Sequence, residues 1–395
     1  MIRREERKSG TKEQSKEKGR LRLLLLPFLL AVGAGILVGA SMVAYLHGIY
    51  GELNGQVMVI IYCSLGMCLL STFLNILFHE AGHLIFGLLT GYSFLSFRIA
   101  SLTIVRDRGK LRIRRFSVPG TAGQCLMAPP VCPAERFPYR LYNYGGVIMN
   151  LIVTFLTCLS IFILPQSSVH GKFLLGGFAA GSLLTAVMNG LPTKAFGLAN
   201  DGYHGKAMKR DPLARMSFRL QLEMIQRQAS GERLKDMPEE WFLLPSGALP
   251  SNIMNAYILY IGYCRALDGM DFAGATERLI QLITITAKLP VSFRNMIQLE
   301  GLFLTLLNGA SEEETKQYLT KQSRRLLKSI KNEINVLRIA YTYNKLYLKD
   351  EETAEVCKKR LLKLAGNYPI KAEAEMNLML LEYVEHQSET GEAHA

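Results

Sequence analysis

The chain changes character several times along its length, and the order of those changes outlines the protein. Residues 1–22 carry nine Lys and Arg with no apolar periodicity, so they predict a solvated basic tail. Residues 23–46 then run without a charge, which predicts an uncleaved membrane helix, since the apolar core is longer than that of a signal peptide. A second apolar stretch covers residues 57–89. At about 1.5 Å per residue its helix exceeds a hydrocarbon core of about 30 Å and must tilt or protrude. Two further apolar segments, residues 144–164 and 173–191, are separated only by PQSSVHGK, which makes them an antiparallel pair of spans. Their glycines suit close helix contact within lipid.

Between the second and third apolar segments the period shortens. SFRIASLTIVRDRGKLRIRRFSVPGTAG, residues 96–123, alternates apolar and polar positions around Arg108-Gly109-Lys110, the pattern of an arginine-rich β-hairpin. Beyond residue 211 no further span occurs. Breaks at Asp268-Gly269, Asn308-Gly309 and Lys349-Asp350 each precede an amphipathic helix start, which predicts helical hairpins stacked as a solenoid, with an irregular helical bundle as the alternative. The expected fold is therefore mainly α: a polytopic bundle of four spans with a small cytoplasmic β-hairpin, followed by a soluble all-α domain. The expected division is a basic tail (1–22), a first membrane helix (23–46), a membrane core (57–210), a cytoplasmic helical domain (211–388) and a disordered end (389–395).

Charge supports a membrane topology more than a nucleic-acid partner. The formal net charge is +13, but the basic residues sit beside apolar segments without a zinc-finger, RNA-binding or helix-turn-helix signature. The tail has nine Lys and Arg and residues 91–140 have another nine, against none in residues 47–56 and one in 165–172. The positive-inside rule then puts both termini and the hairpin in the cytoplasm. Seven cysteines, an odd number with no CxxC pair, read as reduced thiols; Cys125 and Cys132 are too widely spaced to favour a metal site.

The chemistry lies in NILFHEAGHLIFGLL, residues 75–89, where two histidines and a glutamate interrupt an apolar run. An ionisable group at membrane depth costs a few kcal/mol or more unless paired, wetted or metal-bound, and so marks a functional site. On a helix, His79 and His83 share one face and can hold one Zn²⁺, while Glu80 stands where it can take a proton from an activated water. A third ligand is required. Pro192 ends the fourth apolar segment and Asp201-Gly202 follows, so Asp201 is the first choice; His204 and Asp268 are rivals, the latter in an ordinary helix-turn setting.

Those residues carry a resemblance. HExxH in an apolar helix, GGVIMN in a later one, and Asn189-Gly190-Leu191-Pro192 with a downstream Asp201-Gly202 resemble the site-2 protease family of intramembrane zinc metalloproteases over residues 57–202. The resemblance implies His79, His83 and Asp201 as zinc ligands, Glu80 as general base and proton shuttle, and Asn189 and Asn150 as groups that hold substrate backbone or oxyanion. It implies a membrane protein or peptide as substrate, and the short, positively tailed, four-span form with a cytoplasmic C-terminus suits a bacterial plasma membrane. The family's compact N-x-x-P-x-x-x-x-D-G is lengthened here by KAFG before the DG. No PDZ-like module lies between spans, which leaves control to the helical domain. Two other classes compete: a non-catalytic scaffold or peptide receptor acting through that domain, against which the retained Glu80 argues, and a transporter relay, against which the small number of spans without inverted repeats argues.

Overall fold

The computed structural model describes residues 56–107, 109–116, 121–133, 136–165, 169–194, 198–309, 311–329 and 333–390. The expected basic tail, the first membrane helix at 23–46, and residues 391–395 of the expected disordered end lie outside the described residues. Residues 389 and 390, assigned to that end, belong instead to the last helix.

The chain is mainly helical. Helix α1 runs Gln56–Leu89, α2 Tyr139–Ile163 and α3 Val169–Gly190. Two stretches, Leu70–Leu89 and Tyr139–Ile163, are long and apolar enough to cross a membrane. Four spans were expected. Among the described residues the fourth apolar segment yields the shorter apolar stretch Leu174–Gly190.

The expected hairpin is part of a larger sheet. Strands β1 (Ser93–Ile99), β2 (Leu102–Asp107), β3 (Lys110–Arg115) and β4 (Gly123–Ala128) form an antiparallel sheet in the order β3-β2-β1-β4. The β2–β3 turn falls where Arg108-Gly109-Lys110 predicted it, with Gly109 at φ +79°. Gly91, at φ +86°, turns the chain from α1 into β1. The flanking strands β1 and β4 escape a hairpin reading because a bulge between Phe94 and Ser96 breaks the alternation of β1, and β4 pairs with β1 across the whole hairpin.

The remaining helices are α4 (Asp201–Arg210), α5 (Pro212–Ser230), α6 (Ile253–Asp268), α7 (Phe272–Ile285), α8 (Val291–Leu307), α9 (Glu312–Tyr318), α10 (Lys321–Ser329), α11 (Ile334–Thr342), α12 (Glu351–Ala365) and α13 (Lys371–Thr390). Sequential neighbours pack as α6 on α7, α7 on α8 and α11 on α12. A solenoid repeat touches only its neighbours. Here α13 returns to pack on α5 and α6, and α11 packs on α8, so the domain closes on itself as a bundle and the solenoid expectation fails. Its core carries a buried ion pair: Arg338 Nη2 donates to both oxygens of Glu300, Tyr263 donates to Glu300 Oε2 (2.8 Å), and Arg338 Nε donates to Asn377 Oδ1 (2.9 Å).

Among the described residues, chain contacts define two units, one within 56–75 and 153–184, the other within 76–152 and 185–390. The sheet and the helical bundle both belong to the second. There they are clasped together: Asp107 accepts from Lys371 Nζ (2.9 Å) and Arg114 Nη2 (3.0 Å), while Arg114 Nη1 donates to the Tyr368 carbonyl (3.1 Å). The Phe116 and Tyr368 rings meet edge to face at 5.1 Å.

Candidate metal centre

His79 and His83 lie one helical turn apart on α1, as their spacing requires. His79 Nδ1 donates to Asn150 Oδ1 (2.8 Å) and His83 Nδ1 donates to the Tyr142 carbonyl (2.8 Å), both on α2. These bonds fix each ring and leave each Nε2 lone pair facing inward. Asp201 Oδ2 stands 3.1 Å from His79 Nε2 and 3.4 Å from His83 Nε2, and the two nitrogens are 3.3 Å apart.

Three ligand atoms at such separations could hold a metal ion among them. Zinc bound at about 2.0–2.1 Å in a tetrahedron would hold its ligand atoms about 3.3 Å apart, close to all three edges seen here. The donor set of two imidazoles and one carboxylate is likewise that of a catalytic zinc site with one position left open. Among the described residues these three form the only such group.

Glycines bring the two helices close enough to do this. A Cβ on Gly146 would lie 2.5 Å from His79 Cε1 and Nε2, and one on Gly82 would lie 2.2 Å from the Gly145 carbonyl oxygen. The Gly145-Gly146 pair of GGVIMN therefore forms the wall against which the HEAGH turn is seated.

Asp201 arrives by a separate device. It opens α4, whose N-cap Asn200 accepts from Tyr203 N (2.9 Å) and Thr193 N (3.1 Å), while the Asn200 amide donates to the carbonyls of Met188 and Leu191 (both 2.6 Å). Asn143 Nδ2 adds a bond to the Asp201 carbonyl (2.8 Å). The longer linker thus returns the aspartate through one asparagine that ties both ends of the loop. Gly202 lies close against Gly190, whose carbonyl oxygen would be 2.2 Å from an added Cβ. Burial raises the Asp201 carboxyl, but the His83 and His79 imidazoles outweigh it and hold the group below the usual carboxylate range.

Glu80 is buried beside this group. Gly123, at the start of β4, covers it so closely that a Cβ would sit 2.6 Å from Glu80 Cγ and Oε1. The lead-in to β4 is held by Arg98, itself buried, which donates to the carbonyls of Ala100 (3.0 Å) and Gly123 (3.2 Å) and to the Thr121 hydroxyl.

The other sequence candidates occupy different settings. Asn150 bonds the His79 ring at Nδ1, and Asn189 donates to the Thr185 carbonyl of its own helix (3.0 Å). His204 is outside the three-residue group, and burial lowers its imidazole below the ordinary range despite Asp201 nearby. Asp268 serves the helical bundle, where Arg233 Nε (2.7 Å) and Lys235 N (3.1 Å) bond it. Sequence reading did not single out Asn143, Asn200, Arg98 or Gly123. The first two lie next to quoted motifs, whereas nothing in the strand pattern distinguishes Arg98 or Gly123. Comparisons with protein-family models, with curated proteins and with solved structures find no match to this chain.

Proposed function

We propose that the protein is a membrane-embedded zinc metalloprotease that cleaves peptide bonds of membrane-spanning or membrane-associated substrates near the cytoplasmic side of the bilayer. The observation that carries the reading is the convergence of His79 Nε2, His83 Nε2 and Asp201 Oδ2 with Glu80 alongside, in a helix apolar enough to span. A purely structural zinc site has no use for a buried carboxylate beside it. When bound, zinc supplies a Lewis acid that activates water and polarises the scissile carbonyl. Glu80 takes the proton of the attacking water and passes it to the leaving amine. Asn189 has a second amide N–H to offer the developing oxyanion. Asn150 is assigned to holding His79, not to substrate.

A membrane helix must unwind before its carbonyls can be attacked. Strand β4 pairs with β1 on one side only, so its outer edge, starting at Gly123 over Glu80, is the natural partner for an extended substrate. The surrounding topology we assign is multi-pass in a bacterial plasma membrane with both termini cytoplasmic, from the distribution of Lys and Arg.

A second reading has one observation in its favour. A cavity of about 890 Å³ opens in the helical bundle between α6, α7 and the turn around Phe242, lined by Arg265, Arg278, Leu259 and Ile280 among others. A peptide receptor acting through that cavity needs neither zinc nor Glu80. Zinc stoichiometry on detergent-purified protein, with cleavage of membrane-helix peptides by the same samples, separates the two. The protease reading expects about one zinc per chain, lost in Asp201→Ala, kept in His204→Ala and kept in Glu80→Gln, with cleavage gone in the last. Absence of zinc from the wild type would end it.

A further inference from the structure

The sheet has two unlike faces. Directly paired residues point to the same side, so Leu102 and Arg115, Ile104 and Ile113, and Arg106 and Leu111 share one face of β2 and β3. Thr103, Val105, Asp107, Lys110, Arg112 and Arg114 form the other, which the helical bundle clasps through Lys371 and Tyr368.

Among the described residues the first face has no such clasp. Leu102, Leu111 and Ile113 are 53%, 65% and 71% exposed on adjacent strands and lie together as one apolar patch. Arg106 and Arg115 flank them on the same face, both exposed, and no carboxylate among the described residues lies within ion-pair distance of either. Followed across the sheet through Phe97 and Ile99, the same face reaches Gly123 and covers Glu80 of α1. The sheet also begins only a three-residue turn after Leu89, where the exposed apolar stripe of α1, with Leu88 and Leu89, ends.

We infer that this outer face of β2 and β3 is a bilayer-docking surface, with Leu102, Leu111 and Ile113 against acyl chains and Arg106 and Arg115 on anionic lipid headgroups. The inference rests on the membrane reading of the protein. Continuity with α1 supplies the apolar half of the surface, and the unpaired arginines supply the charge complementarity. A soluble protein partner would need a carboxylate-rimmed apolar patch, whereas the bilayer beside α1 already presents both chemistries. Seating this face fixes the tilt of the sheet, and through Gly123 the cover over Glu80.

The test uses the single tryptophan, Trp241, replaced by Phe in the full-length chain. Ile113→Trp and Arg112→Trp, on opposite faces of β3, are each reconstituted in nanodiscs of phosphatidylcholine with phosphatidylglycerol, with and without brominated acyl chains. A face seated about 5–10 Å into the headgroup boundary brings residue 113 near the bromines, so its emission shifts to the blue and falls roughly by half, while residue 112 is unaffected. Arg106→Gln with Arg115→Gln abolishes the extra quenching that phosphatidylglycerol gives over phosphatidylcholine alone. Equal quenching at 112 and 113, or none at 113, overturns the docking face. Absence of any phosphatidylglycerol effect overturns its arginine half. Zinc content and cleavage measured on the same samples report on the protease reading separately, so either idea can fall while the other stands.

Discussion

Gly146→Ala tests the centre at the point where sequence and geometry meet. The added Cβ would lie 2.5 Å from His79 Cε1 and Nε2 and 2.7 Å from Cδ2, so the ring must retreat by about 1 Å to reach ordinary contact. A metal ligand is tolerated within about 0.2 Å of its proper distance, so the displacement removes His79 as a full ligand. Loss of a group that merely orients a ligand costs about 10–100-fold in metal affinity, and displacing the ligand itself costs at least the upper figure, about 2.7 kcal/mol. The effect on folding has the opposite sign in part. Alanine gains up to about 1 kcal/mol over glycine in a helix, which offsets the local crowding. Competition with a chelator should therefore show at least about 100-fold weaker zinc binding, with a melting temperature of the metal-free protein close to wild type. Gly145→Ala behaves differently because its Cβ would meet the Gly82 carbonyl oxygen at 2.6 Å, a backbone atom that cannot rotate away, and it should lower stability outright. Gly177→Ala meets nothing within 4 Å and serves as the tolerated control. Wild-type zinc affinity in Gly146→Ala would refute the claim that α2 seats His79 as a ligand.

Further expectations concern the groups around the centre and the helical bundle. Asn150→Ala removes the acceptor for His79 Nδ1 and should weaken zinc by about 10–100-fold in the same competition assay, leaving the bound stoichiometry at saturation unchanged. Asn200→Ala unties the loop that returns Asp201, and should lower both zinc affinity and thermal stability, the cap alone contributing about 1 kcal/mol. Glu300→Ala strands the buried Arg338 guanidinium and should destabilise by about 3–5 kcal/mol in thermal melts, whereas Glu300→Leu with Arg338→Met should cost much less. Burial pushes the Glu373 carboxyl up from 4.5 to about 7, against Tyr368 and Asn335 and with help from Glu300. The fold then favours its protonated form, so stability is full below about pH 4.5 and is lost as pH rises through 7, by about 3 kcal/mol in all. Melts of Glu373→Gln should lack this fall between pH 5 and 8; an unchanged profile would show that another group sets it.

The histidine pair was legible because its geometry depends on local spacing. His79 and His83 meet through one turn of helix, and the alternation of residues 102–115 with the Gly109 turn led directly to β2 and β3. What was illegible depends on distant partners. Nothing near Gly123 announces that β4 pairs with β1 twenty-odd positions earlier and closes over Glu80, since the signal is the absence of a side chain against a residue on another element. Arg98 reads as one more surface arginine until the carbonyls it satisfies are in place. The solenoid expectation failed for a related reason. Evenly spaced turns describe the path of the helices but carry no information on whether α13 continues the stack or returns to α5 and α6.

That return gives the sheet its setting. Because α13 closes the bundle, Lys371 and the preceding Tyr368 are brought to the side of the sheet opposite the exposed leucines, where Asp107 and Arg114 bind them. Asp107 takes both cations with little exposure, and its carboxyl is held low chiefly by the Lys371 bond, so the clasp persists across the neutral range. A sheet gripped on one face by the bundle, and covering Glu80 with the other, ties the position of α13 to that of β4. Under the protease function proposed above, a change in how firmly Asp107 and Arg114 are held would bear on cleavage without any contact between the helical bundle and substrate.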